Sequence, residues 1–239
     1  MAILDFRQLA TAPQRCDVVI VGTGPAGISV ARQFEGSGCC VVLLETGGEA
    51  HDDAAESCSE FESVGDRRAP AQAVRRRIFG GTSLVWTGRC VPLSPIDFQA
   101  RSWVPGSGWP IDETELAPYW GAAGRLLGIG PHAEGDRLWG VLDKQPDRPA
   151  WDRRVFAAEI YQCSVRSDGR GRIVPPADQG QADQLGALSH GTVPIAVDFA
   201  EAARELFAAS AHLHDWQHAH VREVLSDADG RRAIGVAIA

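Results

Sequence analysis

Apolar positions in this chain follow two rhythms, one continuous and one helical, and both are clearest near its start. Val18 to Val21 form an unbroken apolar run of the kind that suits a parallel strand covered on both faces. Behind it Ile28, Ala31 and Phe34 recur at helical spacing, and Gly36-Ser37-Gly38 end the pattern with C-cap chemistry. Cys40 to Leu44 make a second apolar run, closed by Glu45. The order strand, helix, strand predicts a βαβ crossover.

Later segments carry the same kinds of signal. Asp112 and Glu115 form a capping box ahead of Leu116, Tyr119, Trp120, Ala123, Leu126 and Leu127, which share one helix face and read as core. Pro118 is expected to kink that helix or divide it. Asp198 and Glu201 repeat the capping signature before Phe199, Ala202, Ala203, Leu206 and Phe207, with the helix ending near Ser210. The closing stretch HLHDWQHAHVREVLSDADGRRAIGVAIA reads as two strand-like runs joined by a turn at Asp227 to Gly230. Residues 1–15 read as a polar lead-in, and the acidic stretch after Glu45 as a surface loop. From Gly128 to Pro194 the pattern weakens; it holds strand-like Val155 to Tyr161 and no repeat. The domain reading is therefore 1–130 for the crossover and a second glycine-rich loop, 131–195 for an irregular connection that could belong to a substrate domain, and 196–239 for a helix and hairpin returning to the first part.

With 44% hydrophobic and 23% charged residues, the chain can bury a sizeable core. A net charge of −8 argues against nucleic acid or an anionic membrane as the main partner. No run approaches a membrane span and no signal-peptide pattern opens the chain. The six cysteines show no CxxC pair, so they read as reduced thiols and the expected location is cytoplasmic.

The turn between the two predicted strands carries the chemistry. Gly22, Gly24 and Gly27 stand at GxGxxG spacing, and Thr23, Pro25 and Ala26 complete the turn. In that pattern the first glycine makes the tight turn, the second lets a pyrophosphate approach the backbone, and the third lets the helix pack on the sheet. Pro25 sits where a missing N–H costs nothing, and the free N–H groups of the helix start would face phosphates. Glu45 lies 18 residues after Gly27, where a carboxylate accepts hydrogen bonds from ribose hydroxyls and repels a 2′-phosphate.

A second loop, Gly80-Gly81-Thr82-Ser83, places small residues where N–H and hydroxyl groups can meet phosphate or a flat ring; alone, it could equally be an ordinary tight turn. Arg77 just before it is a further candidate within an otherwise solvated arginine run. His51, Asp52 and Asp53 read as a solvated loop, and His190 as a lone loop histidine. His212, His214, His218 and His220 would share one face of a continuous strand, unless Asp215-Trp216 breaks it. None of these groups makes a strong metal site, and no metal is expected.

Three stretches resemble the glucose-methanol-choline (GMC) flavin oxidoreductases: VVIVGTGPAGISVA through LLETGG, FGGTSLVWTGRCVPL with SGWPIDETELAPYW, and HAHVREV through GRRAIGV. The resemblance implies an α/β fold with a Rossmann-like FAD-binding domain: a parallel sheet, flanking helices and an adenine-side β hairpin. It implies FAD, with Gly22, Gly24 and Gly27 at the pyrophosphate and Glu45 at the ribose. Gly81, Thr82 and Ser83 would lie along the pyrophosphate and flavin, and the backbone of Val221 would meet the adenine. Val85 stands where some members carry a flavin-tethering histidine, so the expected FAD is non-covalent.

Members of the family are more than twice this length, and their catalytic histidine lies near the C-terminus, in a context that none of the seven histidines here matches. The expectation is an incomplete flavin domain, inactive alone, that oxidises an alcohol or sugar hydroxyl when completed by a C-terminal half. A second polypeptide or self-association would then cover the exposed apolar surface. A non-catalytic flavin- or nucleotide-binding module and an NAD-dependent dehydrogenase are the alternatives.

Overall fold

A computed structural model describes residues 3–8, 15–66, 74–129, 135–141, 143, 152, 154–155, 162–164 and 198–239. The chain divides into two compact units, Met1–Trp86 with Asp198–Ala239, and Thr87–Val197. Among the described residues no helix is long and apolar enough to cross a membrane.

The first unit is built on a parallel sheet. Its strands are β1 (Ile3–Asp5), β2 (Val18–Val21), β3 (Val41–Leu44) and β6 (Leu213–Gln217), in the spatial order β1-β6-β3-β2. Between β2 and β3 runs helix α1 (Pro25–Arg32), so the predicted βαβ crossover is present, with Val18 opposite Val41 and Val21 opposite Leu44. All four β3 side chains are buried, as a central strand flanked by layers on both faces requires. On one face, α1 and the capped helix α7 (Phe199–Ala209) cover the sheet; Ile28, Ala31, Phe199, Ala203 and Phe207 are buried there. On the other face, Val42, Leu44 and Ala219 form a cluster with Phe6, Trp216, Val221, Val236 and Ile238. That layer includes the antiparallel hairpin of β7 (Val221–Ser226) and β8 (Ala233–Ile238). A parallel sheet flanked by helices is the Rossmann-like arrangement.

Four expectations need correction. The opening segment is more than a lead-in, because Ile3–Asp5 pairs in parallel with β6. The closing stretch holds three strands: Leu213–Gln217 inserts into the middle of the main sheet, and only the later two form the hairpin. β2 is not covered on both faces, since Val19 and Val21 are 37% and 57% exposed on the edge strand of the described sheet. The acidic stretch after Glu45 also contains a short helix, α2 (Asp53–Ser57), N-capped by Asp52.

In the second unit, β4 (Arg89–Cys90) pairs antiparallel with β5 (Gln162–Cys163), and α3 (Pro95–Phe98) follows β4. The Asp112–Glu115 capping box forms and starts α4 (Glu113–Leu116). Pro118 sits in a 3-10 turn that divides this helix from α5 (Trp120–Leu127). Tyr119, expected in the core, is 67% exposed, because the tighter turn rotates it off the buried face. A further helix, α6 (Gly135–Val141), is described. The strand expected at Val155–Tyr161 lies outside the described residues except for Val155, which is in a turn. His190 lies outside them as well.

Candidate functional site

Gly22 leaves β2 at φ 93°, and its N–H donates to the carbonyl of Leu44 at 2.8 Å, fastening the turn to β3. A Cβ on Gly27 would run into the Gly22 carbonyl and come within 3.3 Å of Ile20, so only glycine lets α1 lie this close to β2. Gly24 is different. Its backbone is extended at φ −70°, it caps α1 without a side chain, and nothing stands within 4 Å of where its Cβ would project. With Pro25 at N1, the first-turn N–H groups of Ala26 and Gly27 have no acceptor inside the helix. The helix start therefore presents donors and the positive end of its dipole beside open space.

Glu45 and Thr23 are both buried beneath this turn. One carboxylate oxygen, Oε2, accepts from the Thr23 N–H at 2.9 Å and the Thr23 hydroxyl at 2.7 Å. The other, Oε1, accepts from the Gly47 N–H at 3.2 Å. A carboxylate with about four lone-pair sites thus has three donors from its own chain.

The second glycine-rich loop meets the first. Gly81–Leu84 forms a 3-10 turn behind Gly80, which has φ 90°. A Cβ on Gly81 would come within 3.0 Å of the Gly24 Cα, so these two backbones are in contact. A Cβ on Gly80 would come within 2.8 Å of Ala200, at the start of α7. The Gly80 N–H donates to the Thr23 hydroxyl at 3.3 Å. Ser83 is buried and its hydroxyl donates to the Gly80 carbonyl at 2.7 Å, whereas Thr82 in the same turn is exposed.

The structure thus gathers Gly22 through Gly27, Glu45 and Gly81 through Ser83 at the C-terminal ends of β2 and β3. The side chain of Val221 packs with Val42 and Leu44 on the face of the sheet opposite α1. Its neighbour His220 reaches the strand tip, where Nδ1 lies 3.2 Å from the Thr46 hydroxyl.

Arg77 turns out to be an anchor. Its guanidinium donates to the Ser59 hydroxyl at 2.6 Å, the Cys58 carbonyl at 3.1 Å and the Thr46 hydroxyl at 3.4 Å. Gly47 packs directly against the Arg77 backbone, and the Phe79 N–H donates to the Gly48 carbonyl at 2.9 Å. The chain leading into the second loop is thereby laid across the β3 tip.

The histidines do not line one strand face. β6 runs through Asp215-Trp216 without a break and ends just before His218, whose φ of 56° turns the chain. His218 Nδ1 then lies 3.3 Å from Asp52. Among the described residues no group of three or more His, Cys, Asp or Glu could hold a metal ion.

Asp215 was not singled out by its sequence context. Alternation in Leu213–Gln217 puts Leu213, Asp215 and Gln217 on the buried helix face of the central strand β6. Asp215 is fully buried, and neither carboxyl oxygen finds a hydrogen-bond partner; Gln217 Nε2 also lacks one. Burial pushes its pKa up to about 7. The Gln217 amide beside it offsets part of that rise without closing a bond of good geometry, and the negative charges of Glu45 and Glu49 add to it.

No family model matches this chain. Among characterised proteins it is similar to paromamine 6′-oxidase of Streptomyces fradiae, 27% identical over 135 residues, covering 51% of this chain. The match extends over 25% of that protein, so this chain covers only about a quarter of the length of that relative by similarity.

Proposed function

We propose that the first unit seats the ADP portion of non-covalent FAD, and that the chain is the FAD-binding portion of a GMC-type oxidoreductase acting on an alcohol or sugar hydroxyl. The observation that carries this reading is the backbone contact between Gly24 and Gly81, which joins two glycine-rich loops beside the open start of α1. One such loop is commonplace. Two of them in contact, over a buried acid at the end of the adjacent strand, suit a pyrophosphate better than any purely structural turn. The distant similarity to an oxidase supports the oxidoreductase class.

The residues present fit the group. Ala26 and Gly27 N–H groups would hold the pyrophosphate, Gly24 would leave room for it, and Gly81 to Ser83 would close over it. Glu45 retains about one open lone-pair site for a ribose hydroxyl. When bound, the flavin would supply the redox chemistry as hydride acceptor.

Gly24 gives the test. An alanine there meets no atom of the protein and adopts the same backbone, so Gly24→Ala should keep the wild-type unfolding midpoint. It should nevertheless weaken FAD binding at least about tenfold, because the methyl group fills the space assigned to the pyrophosphate. Unchanged FAD affinity in this variant overturns the proposal. Wild-type protein that retains NAD but no FAD after gel filtration would replace FAD with a nicotinamide cofactor.

A further inference from the structure

We infer that Thr23 is a positioning residue, holding the two glycine-rich loops in one fixed relation through its hydroxyl. By sequence, Thr23 only helps to complete the glycine-rich turn. In the structure it is fully buried and its side chain points away from solvent. The hydroxyl donates to Glu45 Oε2 at 2.7 Å and accepts from the Gly80 N–H at 3.3 Å. One oxygen atom therefore links the first loop, the end of β3 and the start of the second loop. The orientation is chemically fixed: the ionised carboxylate only accepts, so the hydroxyl proton must point at Glu45, and the lone pairs are left for Gly80.

Two consequences separate this role from mere packing. Without the hydroxyl, Gly80 loses its acceptor while Gly81 still presses on Gly24, so the second loop can drift from the first. Glu45 keeps its donors from the Thr23 and Gly47 N–H groups, so the ribose acceptor stays in place while the loops separate. The inference rests on the nucleotide-seat reading for its effect on binding, but the joint between the loops exists whether or not a nucleotide binds.

The test compares Thr23→Val, which keeps shape and removes the hydroxyl, with Thr23→Ser, which keeps the hydroxyl, in the full chain. Hydrogen exchange of the peptide containing Gly80 reads the joint without ligand, and calorimetry with ADP and with adenosine reads the seat. Thr23→Val should speed exchange at Gly80 about tenfold and weaken ADP about tenfold, with adenosine changed less than about threefold, while Thr23→Ser restores wild-type values in all three. Should valine prevent folding, Thr23→Ala replaces it. Wild-type exchange in the valine variant overturns the inference, as does equal loss of ADP and adenosine, which would place the effect at the ribose. A wild-type chain that binds neither ADP nor FAD defeats the nucleotide seat alone, and the exchange comparison still decides the role of Thr23.

Discussion

Replacing Asp215 with asparagine should make the first unit more stable, and by an amount that grows with pH. The carboxyl is fully buried, has no hydrogen-bond partner and titrates near 7 when folded, against an ordinary 3.8. A raised pKa means that the folded state favours the protonated form. Below pH 3.8 folded and unfolded chains both carry the proton, and Asp215 costs nothing electrostatically. Between 3.8 and 7 the unfolded chain releases the proton while the folded one keeps it, so stability falls as pH rises. Above 7 the loss levels off at about 4 kcal/mol, taking 1.36 kcal/mol per pKa unit. An asparagine side chain in its place would have the same shape and no charge at any pH. Urea unfolding of Asp215→Asn and wild type should therefore coincide near pH 4 and diverge by about 2 M in midpoint at pH 7.5, for a typical slope of about 2 kcal/mol per molar. A stability difference that is the same at every pH, or a wild type that is the more stable at pH 7.5, would refute the reasoning.

Substitutions at two further positions probe the architecture around the site. Gly27→Ala puts a methyl group into the Gly22 carbonyl, so it should destabilise the first unit by about 3 kcal/mol or more, in contrast to the neutral Gly24→Ala; thermal unfolding distinguishes them. Arg77→Ala removes the donors to Ser59, Cys58 and Thr46 and should cost about 1–3 kcal/mol, and Arg77→Lys should recover little because one ammonium cannot span three acceptors. Wild-type unfolding midpoints in both arginine variants would remove Arg77 from its anchoring role.

The crossover was legible because glycine spacing, apolar runs and a terminal acid are all local signals, and each has one dominant physical cause. β1 and β6 were not, for a common reason. Three residues at Ile3–Asp5 are too short for any period to emerge, and Leu213–Gln217 alternates leucine, aspartate and glutamine against histidine and tryptophan. Its buried face is two-thirds polar, so alternation of burial is present without alternation of hydrophobicity. What turns this stretch into a central strand is its parallel pairing with Val41–Leu44, far away in sequence. Pro118 shows the opposite case: its effect on the helix is local, and the break lies where the residue requires it.

The same division between local and distant causes explains the site. Gly22 and Gly27 are legible because each is constrained by its own backbone or by a neighbour a few residues away, and Gly24 is legible from its spacing between them. Gly80 and Gly81 are constrained by Ala200 and Gly24, and Arg77 by residues 46–59, so their spacing alone could not separate an ordinary tight loop from a fixed one. Glu45 is the instructive residue between these cases. Its position at the end of the strand is readable, but its partners are not, and Thr23 and Gly47 take three of its acceptor sites before any ribose could arrive. If an adenosine does bind there, its two ribose hydroxyls compete for about one open site, so either Gly47 moves aside or one hydroxyl finds its acceptor elsewhere.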